Sequence, residues 1–229
     1  MNFLINYIKG KLDDRRRWSS DLDLTDSQRI EKWGHRNYTG GTSSENWYGH
    51  GKRQFYFLLS NGLLPSMNFL DVACGALRLG QYVIPYLNRG NYYGIDISQD
   101  LIDLGIKHEL THEIYNLFNP VFDVNDEFYS QISGFDMAMS NSLFTHLNET
   151  DIKTCFHNLH KLAKPDSSFF FTFFEGCSSK NIHQDSHANK RWEYSFAQMQ
   201  SLAAPYFNLK YIGDWGHPGN QMMIRANPL

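Results

Sequence analysis

From Asn68 onward the chain alternates short, nearly continuous apolar runs with stretches whose apolar residues recur at helical spacing. "NFLDVA", "NYYGIDI", "PVFDV", "FDMAMSNS" and "FFFTFFE" are of the first kind. Continuous apolar runs suit strands that are buried on both faces. Ser98 is placed to cap a helix that carries Leu101, Ile102, Ile106 and Leu110 on one face. Ile152, Phe156, Leu159 and Leu162 predict another helix from Asp151 to Leu162, closed by "KPDSS". A helical stretch is expected from about Leu77 to Leu87, ended early by Pro85, and a last one from Ser195 to Ala204. "NLKYIGDW" and "NQMMIRA" then read as two strands around a turn rich in glycine and proline.

Strands alternating with helices imply right-handed crossovers and a mainly parallel sheet. The last two strands are too close in sequence for a crossover, so they form an antiparallel edge. The expectation is a doubly wound α/β domain over 67–229, with a mainly parallel seven-stranded sheet and an antiparallel C-terminal hairpin. Residues 1–66 lie outside that scheme and are expected to form an N-terminal helical cap and lid.

Composition narrows the partners. A formal charge of −3 over 229 residues builds no field for nucleic acid or for an anionic membrane. Cys74, Cys155 and Cys177 stand in no paired spacing, which reads as reduced thiols in a cytoplasmic protein. Phe3, Leu4, Tyr7, Ile8 and Leu12 fall at helical spacing ahead of the first charges, the reverse of a secretory signal. An amphipathic cap helix is the plain reading there, and a membrane-lying helix the other. No stretch approaches membrane-spanning length, and a monomer or a homodimer fits equally.

The chemistry centres on "FLDVACGALRLG", Phe69 to Gly80. In an open parallel sheet this turn lines the crevice at the carboxyl ends of the strands. A dinucleotide loop needs G-x-G-x-x-G, but position 77 is Leu, so only Gly75 and Gly80 match. Asp71 would also repel a pyrophosphate. A cationic ligand has the opposite preference, and S-adenosylmethionine carries a sulfonium and an ammonium but no phosphate. Asp96 closes "YYGID" about twenty residues on, where a carboxylate accepts hydrogen bonds from ribose hydroxyls. The alternative for Asp96 is an N-cap or a solvated strand end.

"LDVACGALRLG", "YYGIDIS", "FDMAMSNSLFTHL", "LHKLAKPDSSFFFTFFE" and "GDWGHPGNQMMI", in this order, resemble a class I S-adenosylmethionine-dependent methyltransferase. The likeness is to the Rossmann-like subgroup with a "GCG-x-LR-x-G" first motif and a "SLFTHL" fourth-strand motif, and it runs from about Tyr38 onward. Ala73 and Leu77 stand where the family has glycines. The resemblance implies that Asp71 and the backbone of Ala73, Cys74 and Gly75 face the methionine half of the cofactor. It implies that Asp96 holds the ribose, that Ile97 packs on the adenine and that Asn125 and Asp126 meet its amino group. Ser140 and Asn141 would end the fourth strand beneath the transferred methyl. Arg78 has two readings, the methionine carboxylate or an acid on its own helix face.

Methyl transfer is an in-line displacement, so alignment does most of the work, and a hydroxyl acceptor also needs a base. By position the candidates are His146, Glu175 and His217. His146 reads equally as a helix-start tether, and His217 as a turn residue or an imidazole oriented by Asp214. The long polar stretch Gly176 to Tyr194 reads as a substrate loop, with Trp192 and Tyr194 as faces for a sugar or as core aromatics. Tyr38, Trp47, Tyr48 and His50 suit a lid hinged at Gly40 and Gly41, or a structural extension. His183 and His187 flank Asp185 without a third ligand at a telling spacing, so no metal is expected.

These features together imply methyl transfer from S-adenosylmethionine to a hydroxyl of a small molecule or a glycan sugar. Asn141 to Phe144 lack the Asn/Asp-Pro-Pro-Tyr of the adenine- and glutamine-modifying subgroup. The rivals are N-methylation of an amine or protein side chain, a non-catalytic methyltransferase-like binding module, and a nicotinamide-dependent reductase.

Overall fold

The computed structural model describes residues 24–177, 185–186 and 191–229. The N-terminal amphipathic stretch, His183, His187 and most of the polar loop before Trp192 lie outside the described residues. The strands are β1 (Phe69–Val72), β2 (Tyr92–Asp96), β3 (Val121–Val124), β4 (Phe135–Ser140), β5 (Ala163–Glu175), β6 (Glu193–Tyr194), β7 (Phe207–Asp214) and β8 (Met222–Pro228). They lie in the order β3-β2-β1-β4-β5-β8-β7. β1 pairs in parallel with both β2 and β4, whereas β8 runs antiparallel to β5 and β7. The expected seven-stranded sheet is thus present. A two-residue strand, β6, is added beside the end of β5.

Period-two alternation sorts the apolar runs onto the two faces. Leu70, Val72, Phe169, Phe171 and Phe173 join one core cluster with Phe144, Phe156 and Ile224. Phe69, Tyr92, Met139, Phe170 and Met223 join the other, with Leu58 and Val83. Helices cover both faces, which is why these strands read as continuously apolar.

The helices are α1 (Asp26–Trp33), α2 (His35–Tyr38), α3 (His50–Ser60), α4 (Gly80–Val83), α5 (Gln99–Gly105), α6 (His112–Phe118), α7 (Glu149–Leu162) and α8 (Phe196–Ala203). Ser98 caps α5 as expected, accepting from the Leu101 N–H. Thr25 and Ser195 each close a capping box at the starts of α1 and α8. Two π-helical turns, Glu45–Gly49 and Ile106–Leu110, directly precede α3 and follow α5. The stretch expected to be helical from Leu77 is shorter, because Leu77 itself sits at φ 62° and a regular helix begins only at Gly80. β5 starts earlier than "FFFTFFE", absorbing "KPDSS" through a register shift between Phe135 and Met137.

Candidate active site

Connections from β1 run toward β3 on one side and from β4 toward β7 on the other, so the crevice opens beside β1 and β4. The loop after β1 is fixed to β2 by a hydrogen bond from the Cys74 N–H to the Ile95 carbonyl (2.9 Å). Asp96, buried at the end of β2, accepts from the Gly75 N–H (2.7 Å) and the Ser98 N–H (2.9 Å). Burial raises its pKa against the pull of these amides. Each carboxylate oxygen keeps a second lone pair for a further donor. Asp71 is buried as well and accepts from the Tyr92 hydroxyl (2.7 Å). Burial, with Asp96 nearby, pushes its carboxyl up to about 7.

Ala73, Gly75 and Leu77 all adopt left-handed φ, at 62°, 53° and 62°. The loop therefore keeps a glycine-type path through two residues that carry a Cβ. An L-residue pays roughly 1–2 kcal/mol for that conformation. Leu77 offsets the strain by burying its side chain completely in the core.

The chain before α3 is pinned over this loop. Half-buried Arg78 donates to the carbonyls of Thr39 (2.8 Å) and Asn46 (3.3 Å) and lies over the Trp47 ring. Glu109, its side chain 1% exposed, receives Arg36 Nε (2.6 Å), Arg36 Nη2 (3.0 Å) and Trp47 Nε1 (3.0 Å), and faces His35 Nε2 at 2.7 Å. The two π-helical turns meet here, one carrying Trp47 and the other Glu109. Gly41 is needed for this approach, since a Cβ would stand 2.5 Å from the Trp47 ring. It serves close packing, not hinging.

The far side of the crevice is built from the end of β4, the β7–β8 turn and the first turn of α3. Ser142 sits at φ 67°, with its N–H on Thr172 Oγ1 (2.7 Å). Thr172 donates to Gln221 Oε1 (2.6 Å), and Gln221 Nε2 donates to Ser142 Oγ (2.9 Å). This network ties the start of β8 to the end of β4. It brings His217 against His50, ring centroids 4.6 Å apart and edge to face, with Trp215 at 5.6 Å from each.

His217 Nδ1 accepts the Gly219 N–H (2.9 Å), so the neutral ring carries its proton on Nε2. That Nε2, both nitrogens of His50, Trp215 Nε1, Asn141 Oδ1 and Ser140 Oγ are buried without a partner. A buried unpaired polar atom costs roughly 1–3 kcal/mol. So many in one place mark groups that a ligand would satisfy. Burial, then Arg78, His217 and Arg53, hold His50 down at about 2; burial, then Arg78 and Arg53, hold His217 at about 3. Asn141 lies beside His50 and favours its charged form, short of hydrogen-bond geometry.

A family model described as a methyltransferase domain matches residues 70–169, from β1 into β5. That stretch is a methyltransferase domain, and the chain around it has the Rossmann-like methyltransferase fold. Among solved structures, magnesium protoporphyrin IX methyltransferase from Synechocystis PCC 6803, with bound S-adenosylhomocysteine, aligns at TM-score 0.65 and 15% identity, covering 91% of this chain and 98% of that one. The PH0226 protein from Pyrococcus horikoshii OT3 aligns at TM-score 0.64 and 16% identity, covering 90% and 100%. The glycopeptide N-methyltransferase MtfA, complexed with S-adenosylmethionine, aligns at 0.60 and 12%, covering 77% and 93%. No curated protein matches the chain in sequence.

The fold distributes the expected site residues unevenly. Asp71, Ala73, Cys74, Gly75, Asp96, Ser140 and Asn141 gather at the ends of β1, β2 and β4, and Ile97 is exposed beside Val124 at the ends of β2 and β3. Cys74 can offer only backbone there, because its thiol is buried and burial holds it neutral. Asn125 spends its amide on the backbone of Tyr129 (2.9 and 3.0 Å), which leaves exposed Asp126 the freer of the two. Arg78 hydrogen-bonds carbonyls and no acid on its helix face.

Trp192 and Tyr194 present no face to a substrate. β6 draws them into the core, stacked with an interplanar angle of 5°, and the Tyr194 hydroxyl donates to the Leu147 carbonyl. Trp47 is equally buried, spent on Glu109, while Tyr48 lies partly exposed under Arg36 and Tyr38 packs half-buried with Ile30 and Trp47. Of the proposed bases, Glu175 accepts from the Tyr211 hydroxyl (2.6 Å) at an exposed edge, and the ring contacts of the buried pair include neither it nor His146. Asp214 caps the Gly216 N–H and does not orient His217. Among the described residues no three His, Cys, Asp or Glu side chains converge as metal ligands, and no helix is long and apolar enough to cross a membrane.

Proposed function

We propose that the chain transfers the methyl group of S-adenosylmethionine to a hydroxyl of a small molecule or a glycan sugar, with residues 1–66 acting as the cap. The donor set fits this cofactor: two buried carboxylates, Asp71 and Asp96, flank a loop whose one cation, Arg78, is spent on the carbonyls of Thr39 and Asn46. Asp96 serves the ribose hydroxyls, Asp71 the ammonium, and Ile97 with Val124 the adenine face. When bound, S-adenosylmethionine supplies an electrophilic methyl on a positively charged sulfur.

The observation that carries the hydroxyl reading is the buried imidazole pair beside Asn141. Both His50 nitrogens are unpartnered and the ring is held neutral, so a lone pair is free to take the proton of a hydroxyl whose acidity rises steeply as its oxygen gains the new O–C bond. The proton taken up would leave His50 as an imidazolium, which Asn141 favours against the opposing charges of Arg78 and Arg53. His217 presents its Nε2 proton to the acceptor oxygen and holds it in line.

Calorimetric titration with S-adenosylhomocysteine tests the cofactor half. Wild type should bind, and Asp96→Ala should bind tenfold or more weakly, a loss of about 1.4 kcal/mol or greater. An Asp96→Ala protein that is folded and binds as wild type would remove the ribose assignment. No binding by wild type would remove the methyltransferase reading itself.

A further inference from the structure

The face of α3 that looks onto the imidazole pair carries more than His50. Arg53 follows one turn later, and Gln54 beside it is buried with an unpartnered Oε1. The Arg53 side chain reaches across to the β7–β8 turn, where a Cβ built on Gly216 would stand 3.6 Å from its Nε. Its side chain is 36% exposed, and its one ionic neighbour among the described residues is Glu45, at 3.9 Å and with a side chain 78% exposed. Arg53 therefore stands at the surface end of the site whose inner end is His50 and His217, and its donors are nearly free.

The surroundings share one sign. Arg53 and Arg78 are the cations that act on the pair, and no carboxylate is among the charges acting on either ring. Asp214, on the same turn, is exposed and turned to its own Gly216 N–H. The unpartnered groups nearest the rings include two N–H donors, His217 Nε2 and Trp215 Nε1. An ammonium-bearing acceptor would enter beside two guanidiniums, with the exposed Glu45 carboxylate, 3.9 Å from Arg53, as the carboxylate at the surface end. An acceptor with a negative group meets a free guanidinium, whose planar donors suit carboxylate and phosphate alike.

We propose that the methyl acceptor is an anion, a hydroxyl compound bearing a carboxylate or phosphate group, and that Arg53 binds that group while the hydroxyl reaches His50. This rests on the methyltransferase reading of the site. Glu45 is then a resting partner that the acceptor displaces, and Arg53 selects the substrate without taking part in the proton transfer.

The test uses the full chain saturated with S-adenosylhomocysteine and four probes on one skeleton: glucuronate, glucose 6-phosphate, glucose and glucosamine. Calorimetry should show glucuronate or glucose 6-phosphate binding at least about tenfold more tightly than glucose or glucosamine, and the better anion identifies carboxylate or phosphate. Arg53→Gln should abolish that preference, while Glu45→Gln, which frees the guanidinium, should tighten anion binding. A merely structural Arg53–Glu45 contact predicts equal harm from both variants. Equal or tighter binding of the neutral or amino sugar, failure of both anions to bind, or an unchanged preference in folded Arg53→Gln would each overturn the proposal. Any of these with S-adenosylhomocysteine still bound leaves the methyltransferase reading standing; loss of that binding in wild type removes the methyltransferase reading instead.

Discussion

Removing the Glu109 carboxylate should release the N-terminal segment from the domain without unfolding the sheet. In Glu109→Ala the Arg36 guanidinium and the Trp47 indole N–H lose their acceptor in a place where water reaches the carboxylate site poorly. Arg36 is partly exposed and can turn to water, so the loss is that of hydrogen bonds to a charged acceptor, about 2–3 kcal/mol, which is roughly a thirty- to hundred-and-fiftyfold change in the docking equilibrium. Glu109→Gln keeps one acceptor oxygen and should cost less, about 1–2 kcal/mol.

What else holds the segment includes the Arg78 bonds to Thr39 and Asn46, the Ser27–Asp100 and Tyr82–Tyr48 hydrogen bonds, the stack of His35 on His108, and a small cluster of Ile30, Trp47, Ala76 and Leu101. Amide hydrogen exchange reads the outcome directly. Protection over residues 26–49 should collapse in Glu109→Ala, while the amides of β1, β4 and β5 keep wild-type protection. Equal loss across the sheet, or no loss at all, would refute the latch. Acidity supplies a second arm. Burial pushes the Glu109 pKa up, but the bonds from Arg36, His35 and Trp47 outweigh it and hold it below the ordinary glutamate range. Its contribution is therefore complete above about pH 4.3 and lost only as pH falls through the lowered value, so the segment should stay docked in mild acid.

Asp71 has the opposite linkage. With its carboxyl raised to about 7, the folded chain holds a proton that the unfolded chain releases, so this group's contribution to stability falls as pH rises from about 4 to about 7. A cofactor ammonium placed beside it expels that proton. Affinity for S-adenosylhomocysteine should rise up to about pH 7 and then level off, with proton release visible by calorimetry in buffers of different ionisation enthalpy; a flat profile would show that Asp71 does not face the ligand. Ala73→Gly should raise the urea midpoint, reflecting a gain in stability of up to about 1 kcal/mol, because strain is relieved at a partly exposed methyl. Leu77→Gly relieves the same strain but empties a fully buried site, and should lower stability by about 2–4 kcal/mol; a gain in that variant would contradict the packing account.

The sheet was readable because its strands are sealed on both faces, so burial is written as unbroken apolar runs such as "FFFTFFE". Asp96 was readable because it ends β2, and Asp71 because it stands one residue before the end of β1; strand ends fix where the crevice lies. His50 is different. In sequence it is one polar residue in a glycine- and aromatic-rich segment, and no spacing rule links it to His217; only the hairpin folding back beside β5 brings the rings together. Trp192 and Tyr194 misled for a related reason. Aromatics after a polar loop suit a substrate platform, and it took the short pairing of β6 with β5 to sink them. The helix expected from Leu77 was a matter of local backbone: apolar spacing carries no sign of a left-handed residue that pays its strain with burial.

The two halves of the crevice also differ in when they come into being. Asp71, Gly75 and Asp96 lie on neighbouring strands linked by a short stretch of chain, whereas His50 must wait for β7 and β8, late in the sequence, to close on β5. Contacts that span so much chain form slowly relative to local ones. On a ribosome, the elements that would grip the methyl donor emerge first, and the partner ring of His50 emerges almost last. A chain still lacking β7 and β8 has Asp71, Gly75 and Asp96 but not the imidazole pair, so the final hairpin is what completes the crevice.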